Sequence, residues 1–418
     1  MKVVVVGLGY VGLPLVRELV RSDHEVQGFD VSEEVASSLN AGRSHIDDLS
    51  DDDISAMKAG GFKATTDPRC LANAEVVVIC VPTPLSQEGG PDLRFVNSAS
   101  KTVAENISPK ALVVLESTTF PGTTGDIVAP YFVENGLVVG ETIYLAYSPE
   151  RVDPGNKRFD TRNTPKVVGG VTKECGERAR SFYSSIVDEV VEASGCKEAE
   201  LAKLLENTYR HVNIALVNEM VKFCHDLQID FWEVVRLAST KPFGFQAFYP
   251  GPGVGGHCIP IDPNYLSHQV KAELGYPFRF VELAQEINNS MPKYVSDRVA
   301  KNLNRVGRSV KGSKILLLGV TYKKNISDVR ESPATPLARY LLSDGAELSY
   351  WDPFVENWSV DGCPVPRCTN LREEAVEADL AIVVQDHDSM LSDVSAWQVL
   401  DVIDTRGVLA VESNVERL

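Results

Sequence analysis

The amino-acid sequence predicts an α/β protein: two doubly wound parallel-sheet domains joined by a central helical domain with one long helix. Three observations carry this. Short runs rich in Val and Ile alternate with stretches of helical length, the pattern of parallel strands joined by crossover helices. From about Glu198 to Leu227 the pattern changes, and Leu201, Leu204, Leu205, Val212, Leu216 and Met220 recur near helical spacing. Strand-like runs then return in an order that echoes the first part. Lys314-Ile315-Leu316-Leu317-Leu318-Gly319 matches the opening strand, and Tyr350-Trp351-Asp352 matches Phe29-Asp30.

Taken in order, the first domain (1–196) is expected to hold strands at Val3 to Val6, Glu25 to Asp30, Val76 to Val81, Ala111 to Glu116, Ile143 to Ala146 and Lys166 to Val168. The second (197–300) is helical and offers a connector and a dimer surface. The third (301–418) has strands at Lys314 to Leu318, Glu347 to Trp351, Leu380 to Val384 and Val399 to Ile403. A chain of 418 residues, 44% hydrophobic and 24% charged, is long enough for two or three full cores.

The first strand runs into Gly7-Leu8-Gly9-Tyr10-Val11-Gly12 and then an apolar helix carrying Leu13, Leu15, Val16, Leu19 and Val20. In a Rossmann-like domain Gly7 permits the tight turn, Gly9 lets backbone approach a pyrophosphate, and Gly12 packs helix on strand. Asp30 follows 18 residues after Gly12, at the end of the next strand. A carboxylate there accepts hydrogen bonds from a ribose 2′-hydroxyl and repels a 2′-phosphate, so NAD is the expected cofactor. The second, Rossmann-like copy lacks the Gly-x-Gly-x-x-Gly turn. One cofactor per chain is expected, with a different nucleotide-like ligand, or only part of one, in the third domain.

Later strands end in Cys80-Val81-Pro82-Thr83-Pro84, Glu116-Ser117-Thr118-Thr119 and Ser148-Pro149-Glu150-Arg151. Strand ends face the ligand crevice in such sheets. Pro82, Thr83 and Thr118 are therefore candidates for the cofactor, and Glu150 places a carboxylate at the same rim. Thr before Pro in a turn is also commonplace, and Glu150 also fits a solvated loop acid. Cys258, within Gly255-Gly256-His257-Cys258-Ile259-Pro260-Ile261-Asp262, shares the chain with a hydride acceptor site. Oxidation of an aldehyde to an acid is eased by a covalent thiohemiacetal, so the pairing points from alcohol to carboxylate in two oxidations.

Net charge of -17 argues against nucleic acid and anionic membranes as partners. An anionic substrate must then meet a local basic pocket. The apolar opening reads as a strand, without the basic region or cleavage site of a signal peptide, and no run approaches the roughly 18 apolar residues of a membrane span. A cytoplasmic location is expected. Eight cysteines lie at 70, 80, 175, 196, 224, 258, 363 and 368, without Cys-x-x-Cys spacing. Neither a disulfide framework nor a metal is expected.

Gly7 to Pro14, Val81-Pro82-Thr83-Pro84, Ser148-Pro149-Glu150-Arg151, Phe248 to Cys258, and Tyr322-Lys323-Lys324 through Arg330-Glu331-Ser332-Pro333 together resemble the UDP-glucose/GDP-mannose dehydrogenase family over nearly the whole chain. Lys241-Pro242-Phe243-Gly244-Phe245 and Gly256 to Pro263 look most like its UDP-N-acetylglucosamine 6-dehydrogenase branch. The resemblance implies four-electron oxidation at C6 of a nucleotide-linked hexose with two NAD per sugar. UDP-N-acetylglucosamine or UDP-glucose is the first expectation, with a thymidine-linked sugar or UDP-N-acetylmannosamine left open.

The resemblance also implies roles. Cys258 is the nucleophile. Lys203 and Asn207, four apart on the long helix, converge on the C6 oxyanion. Asp262 takes the alcohol proton through water, and Glu150 with Thr118 directs the hydrolytic water. The substrate side comprises Glu150, Arg151, Lys203, Asn207, the Phe248 to Gly253 loop with Tyr249, Gly255, and the basic Lys323, Lys324 and Arg330 against the diphosphate. His257 has a structural or substrate-shaping role, and a homodimer or larger homo-oligomer is implied. Two other readings remain: a two-electron hydroxyacid or 6-phosphogluconate type of dehydrogenase, which needs no Cys258, and a non-catalytic regulator that binds NAD or a sugar nucleotide.

Overall fold

The computed structural model describes residues 1–418 apart from 87–89, 152–155, 157, 257–258 and 393–399. Two compact units emerge. One holds 1–206 and 264–275, the other 207–263 and 276–418.

The first unit is built on an eight-stranded sheet ordered β3-β2-β1-β4-β5-β6-β7-β8. Its strands are β1 (Lys2–Val6), β2 (Glu25–Phe29), β3 (Lys63–Thr65), β4 (Val76–Ile79), β5 (Leu112–Leu115), β6 (Tyr144–Tyr147), β7 (Lys166–Gly170) and β8 (Val190–Glu192). Every residue of β4, β5 and β6 is buried. Their continuous apolar runs reflect helices covering both faces, as parallel sheets require. Val3 and Val5 serve one core, Val4 and Val6 the other, as the alternation of side chains demands.

Parallel pairing holds from β3 to β6, but β7 runs antiparallel to β6, with Ala146 opposite Gly170 and Tyr147 opposite Gly169. The parallel, doubly wound sheet expected from the sequence thus carries one antiparallel strand pair. A parallel return needs a crossover, and none of the described residues between Tyr147 and Lys166 is helical. Strands β3 and β8 escaped that reading because each has only three residues.

The second unit carries a sheet ordered β10-β9-β13-β14-β15, with a separate hairpin β11-β12. The strands are β9 (Lys314–Leu318), β10 (Glu347–Trp351), β11 (Ser359–Val360), β12 (Cys363–Pro364), β13 (Leu380–Val383), β14 (Val402–Asp404) and β15 (Val415–Arg417). The long helix Cys196–Asp226 supplies residues to both units. A second long helix, Arg279–Arg305, contains Pro292. Proline inside a helix removes a backbone donor and reads in sequence as a break, which hid this element. No helix among the described residues is long and apolar enough to cross a membrane.

Arg298 anchors that helix to the last strand. It is 1% exposed, with Nε donating to Glu416 Oε1 at 2.6 Å and Nη2 donating to the Arg417 carbonyl at 3.0 Å. Removing one partner of a buried pair leaves an uncompensated charge. Glu416→Ala is expected to destabilise the second unit by about 3 kcal/mol, read as a lower unfolding midpoint in urea. An unchanged midpoint would show that Arg298 does not depend on Glu416.

Candidate active site

Gly7 sits at φ +91, and a Cβ there would stand 2.7 Å from the Cys80 carbonyl oxygen. A Cβ on Gly12 would stand 1.9 Å from the Gly7 carbonyl oxygen, whereas one on Gly9 would meet nothing within 4 Å. The turn is thus closed by Gly7 and Gly12 and leaves open space at Gly9, where backbone must approach a pyrophosphate. Helix Gly12–Arg21 has no side-chain cap and no acid in its first turn. The nearby helices Glu33–Asn40 and Asp51–Ala59 have a serine cap and acidic first turns. An uncapped, acid-free helix start facing a glycine turn suits an anion.

Asp30 completes the cradle. Its two carboxylate oxygens accept the Leu8 and Ser32 amides, each at 2.9 Å, which leaves each oxygen a lone pair for a ribose hydroxyl. These features fit NAD. Tyr10 and Val11 lie in the same turn, partly exposed. Pro82 is exposed and Thr83 half-buried after β4, and the Thr83 carbonyl accepts the Tyr265 hydroxyl. Ser117 Oγ donates to the Val81 carbonyl at 2.7 Å, tying the ends of β4 and β5 together beside Thr118.

At the end of β6, the Glu150 carbonyl accepts the Lys203 ammonium. Lys203 is only 9% exposed. Arg151 is pinned between Glu206 Oε1 at 2.8 Å and the Pro165 carbonyl at 2.6 Å. Glu200, one turn before Lys203, is fully buried. Its carboxylate accepts the Gly122 and Thr124 amides at 2.6 and 2.9 Å and the Thr124 hydroxyl at 2.7 Å. It locks the strand-end loop that follows Thr118.

In the second unit, Asn207 Nδ2 donates to Asp262 Oδ2 at 2.5 Å. The pair, 55 residues apart, is buried. His257 and Cys258 lie outside the described residues, but their flanks are defined. A Cβ on Gly255 would meet the Glu331 carbonyl oxygen at 2.8 Å, and one on Gly256 would meet the Tyr322 ring at 2.7 Å. The Gly256 amide donates to the Arg330 carbonyl at 3.3 Å. A Cβ on Gly253 would touch Pro333 at 3.1 Å. These glycines let the loop press against 322–333. On its other side the Gly251 amide donates to Asn218 Oδ1 at 3.0 Å. Phe248 packs edge-on against Tyr209, and Tyr249 stacks on Trp232 with ring centroids 5.6 Å apart.

The third segment repeats the first atom for atom up to a point. Gly7 donates to the Phe29 carbonyl at 2.8 Å, and Gly319 to that of Trp351 at 2.8 Å. Leu8 donates to Asp30 at 2.9 Å, and Val320 to Asp352 at 2.8 Å. There the copies part. His387 accepts the Asn325 amide at Nδ1 (3.0 Å) and so carries its proton on Nε2, which faces Asp352 Oδ2 at 3.0 Å. Asp352 is fully buried and closed to a ribose. The loop 320–333 fills the place of the glycine turn before helix Ala334–Ser343. That loop carries Lys323, Lys324 and Arg330. Lys324 Nζ faces Asp388 Oδ1 at 2.9 Å, and Arg330 Nη2 faces Asp328 Oδ2 at 2.6 Å. Arg406, absent from the sequence reading, brings Nη1 to 3.2 Å from the Cβ position of Gly251.

One dinucleotide cradle and a second, altered nucleotide fold define an NAD-binding oxidoreductase with a separate nucleotide-binding region. The domains of the UDP-glucose/GDP-mannose dehydrogenase family match in order: the NAD binding domain over residues 1–187, the central domain over 197–290 and the UDP binding domain over 316–411. The chain belongs to this family of NAD-dependent UDP-sugar dehydrogenases. It is 34% identical to the UDP-N-acetyl-D-mannosamine dehydrogenase of Methanococcus maripaludis, over 93% of this chain and 86% of that protein. It is 34% identical to the UDP-N-acetyl-D-glucosamine 6-dehydrogenase of Salmonella typhi, over 85% and 83%. The solved UDP-D-ManNAc dehydrogenase of Pyrococcus horikoshii matches with a TM-score of 0.90 at 31% identity, covering 99% of this chain and 97% of that one.

Gly9→Val and Gly12→Val separate cofactor binding from folding. Gly9→Val is expected to keep the wild-type thermal midpoint yet lose NAD binding by at least about a hundredfold in calorimetry, because its branches enter only the ligand's space. Gly12→Val is expected to lose both. NAD binding by Gly9→Val with near-wild-type affinity would refute the cradle.

Proposed function

We propose that this chain oxidises the C6 hydroxymethyl of a UDP-linked 2-acetamido hexose to the carboxylate, through a thioester on Cys258. The observation that carries the reading is the buried Asn207–Asp262 hydrogen bond at 2.5 Å. The family resemblance implies roles for both residues, with Asp262 four residues after Cys258.

Asp262 draws the proton from the C6 alcohol, and the Asn207 amide keeps its carboxylate an acceptor. NAD, when bound in the Gly7 to Gly12 cradle, supplies the hydride acceptor for both oxidations. Cys258 adds its sulfur to the C6 aldehyde, giving a thiohemiacetal that stays on the protein. Lys203 and Asn207, one turn apart on one helix, donate to the oxygen at C6 as it gains charge. Glu150, with Thr118, directs water onto the thioester carbonyl. The C–S bond breaks, the thiolate leaves and the water proton passes to the carboxylate. Overall, one alcohol, two NAD⁺ and one water give one carboxylate, two NADH and three protons.

The loop 320–333 with Lys323, Lys324 and Arg330 is our candidate for the diphosphate, joined by Arg406 beside the glycine loop of Phe248 to Gly255. Lys324 and Arg330 hold carboxylates in the structure, so a phosphate must displace or share them. Relatives named for UDP-N-acetylmannosamine and UDP-N-acetylglucosamine support an acetamido sugar over glucose. A homodimer or larger assembly accounts for Leu205, Leu216 and Phe223 standing exposed along the long helix. Sedimentation at the 45.7 kDa of a single chain would remove it. All seven described cysteines are free, including the exposed Cys363, which suits a reducing cytoplasm.

The test compares UDP-N-acetylmannosamine, UDP-N-acetylglucosamine and UDP-glucose, followed by the variants on the best sugar. Uronate production should fall below detection in Cys258→Ala while NAD affinity stays unchanged. Asn207→Ala should lose about a hundredfold in kcat, the typical loss on removing one oxyanion donor. Uronate formed by Cys258→Ala, or wild-type kcat in Asn207→Ala, would refute the assignment.

A further inference from the structure

Three polar side chains lie sealed beneath the end of β6 and have no role in the chemistry above. Glu116 is 1% exposed, Lys166 5% and Tyr183 0%. Lys166 Nζ stands 2.9 Å from Glu116 Oε1, and the same oxygen accepts the Tyr183 hydroxyl at 2.5 Å. The Lys166 ammonium also lies 5.2 Å from the centroid of the Tyr183 ring. Burying two such ions is costly, and a pair kept only for stability is often matched by apolar residues. Burial pushes the Glu116 carboxyl up, against the pull of Lys166. Burial works against the Lys166 ammonium, but Glu116 and then Glu150 outweigh it and hold the ammonium charged.

The antiparallel turn explains the placement. Ala146 pairs with Gly170 and Tyr147 with Gly169, and that register, extended past the end of β6, sets Glu150 opposite Lys166. Lys166 Nζ stands 4.0 Å from Glu150 Oε2. The Glu150 backbone is held separately, through its carbonyl, by Lys203.

We propose that Lys166 is a positioning residue: its ammonium, fixed from below by Glu116 and Tyr183, holds the Glu150 carboxylate at the rim where the thioester is hydrolysed. This rests on the reading of Glu150 as the group that directs water. A cation held by the core cannot follow solvent, so the carboxylate it attracts is kept off alternative rotamers.

The test uses the full-length enzyme turning over its best UDP-sugar, with acid-quenched samples weighed for an acyl adduct on Cys258. The double variant Lys166→Met/Glu116→Gln removes both buried charges together. It should lower kcat about tenfold or more with KM for the sugar within about twofold, and should accumulate the adduct. Lys166→Arg, which keeps the charge, should recover most of the rate. If the double variant does not fold, Lys166→Gln gives the same readouts. Wild-type kcat without adduct, or a fall in kcat that Lys166→Arg does not reverse, overturns the proposal. Glu150→Gln separates the two claims: full activity there removes the water-directing role itself, whereas a slow Glu150→Gln beside an unaffected Lys166 variant removes only the positioning role.

Discussion

The carboxylate at the end of the second strand of each sheet fixes the turn that follows the first strand. Asp30 holds the Leu8 amide and Asp352 holds the Val320 amide. A buried backbone donor needs a partner, and in both copies that partner is an aspartate carboxylate. In the first copy the turn is five residues of glycine-rich chain and the carboxylate keeps lone pairs for a ribose. In the second, His387 closes the carboxylate, and a longer basic loop takes the place of the turn. One backbone device thus yields a dinucleotide site and a region of different specificity, from a repeat still visible in the sequence.

The same economy governs the strand ends of the first unit. Ser117, Glu200 and Lys203 fasten the loops after β4, β5 and β6 through backbone groups. The candidate catalytic side chains therefore stand on a rim whose backbone is already fixed, as precise chemistry requires. Most of these fastenings use charged or hydroxyl side chains that look like surface residues in the sequence.

Much of the fold was legible because the signals were local. Val3 to Val6, Val76 to Val81 and Lys314 to Leu318 are apolar runs of strand length, and the long helix keeps its period over several turns. Gly7, Gly9, Gly12 and Asp30 could be read together because one turn and one strand pair define their spacing. What stayed hidden depends on pairings between distant residues. The reversal at β7, and with it the meeting of Lys166 and Glu116, is written in no short pattern. Pro292 disguised a 27-residue helix. The role of Glu200 is equally unreadable, because its amide partners lie 78 and 76 residues away. His387 likewise meets Asp352 across 35 residues.

The central claim is that one active site carries an alcohol through to an acid without releasing the aldehyde. The direct measurement is the number of NADH formed per UDP-sugar consumed, with the sugar limiting and NAD in excess. A ratio of about two, with uronate as the sole product, is the result this account predicts. A ratio of about one, with free aldehyde trapped from solution, would contradict it and return the chain to the two-electron dehydrogenases.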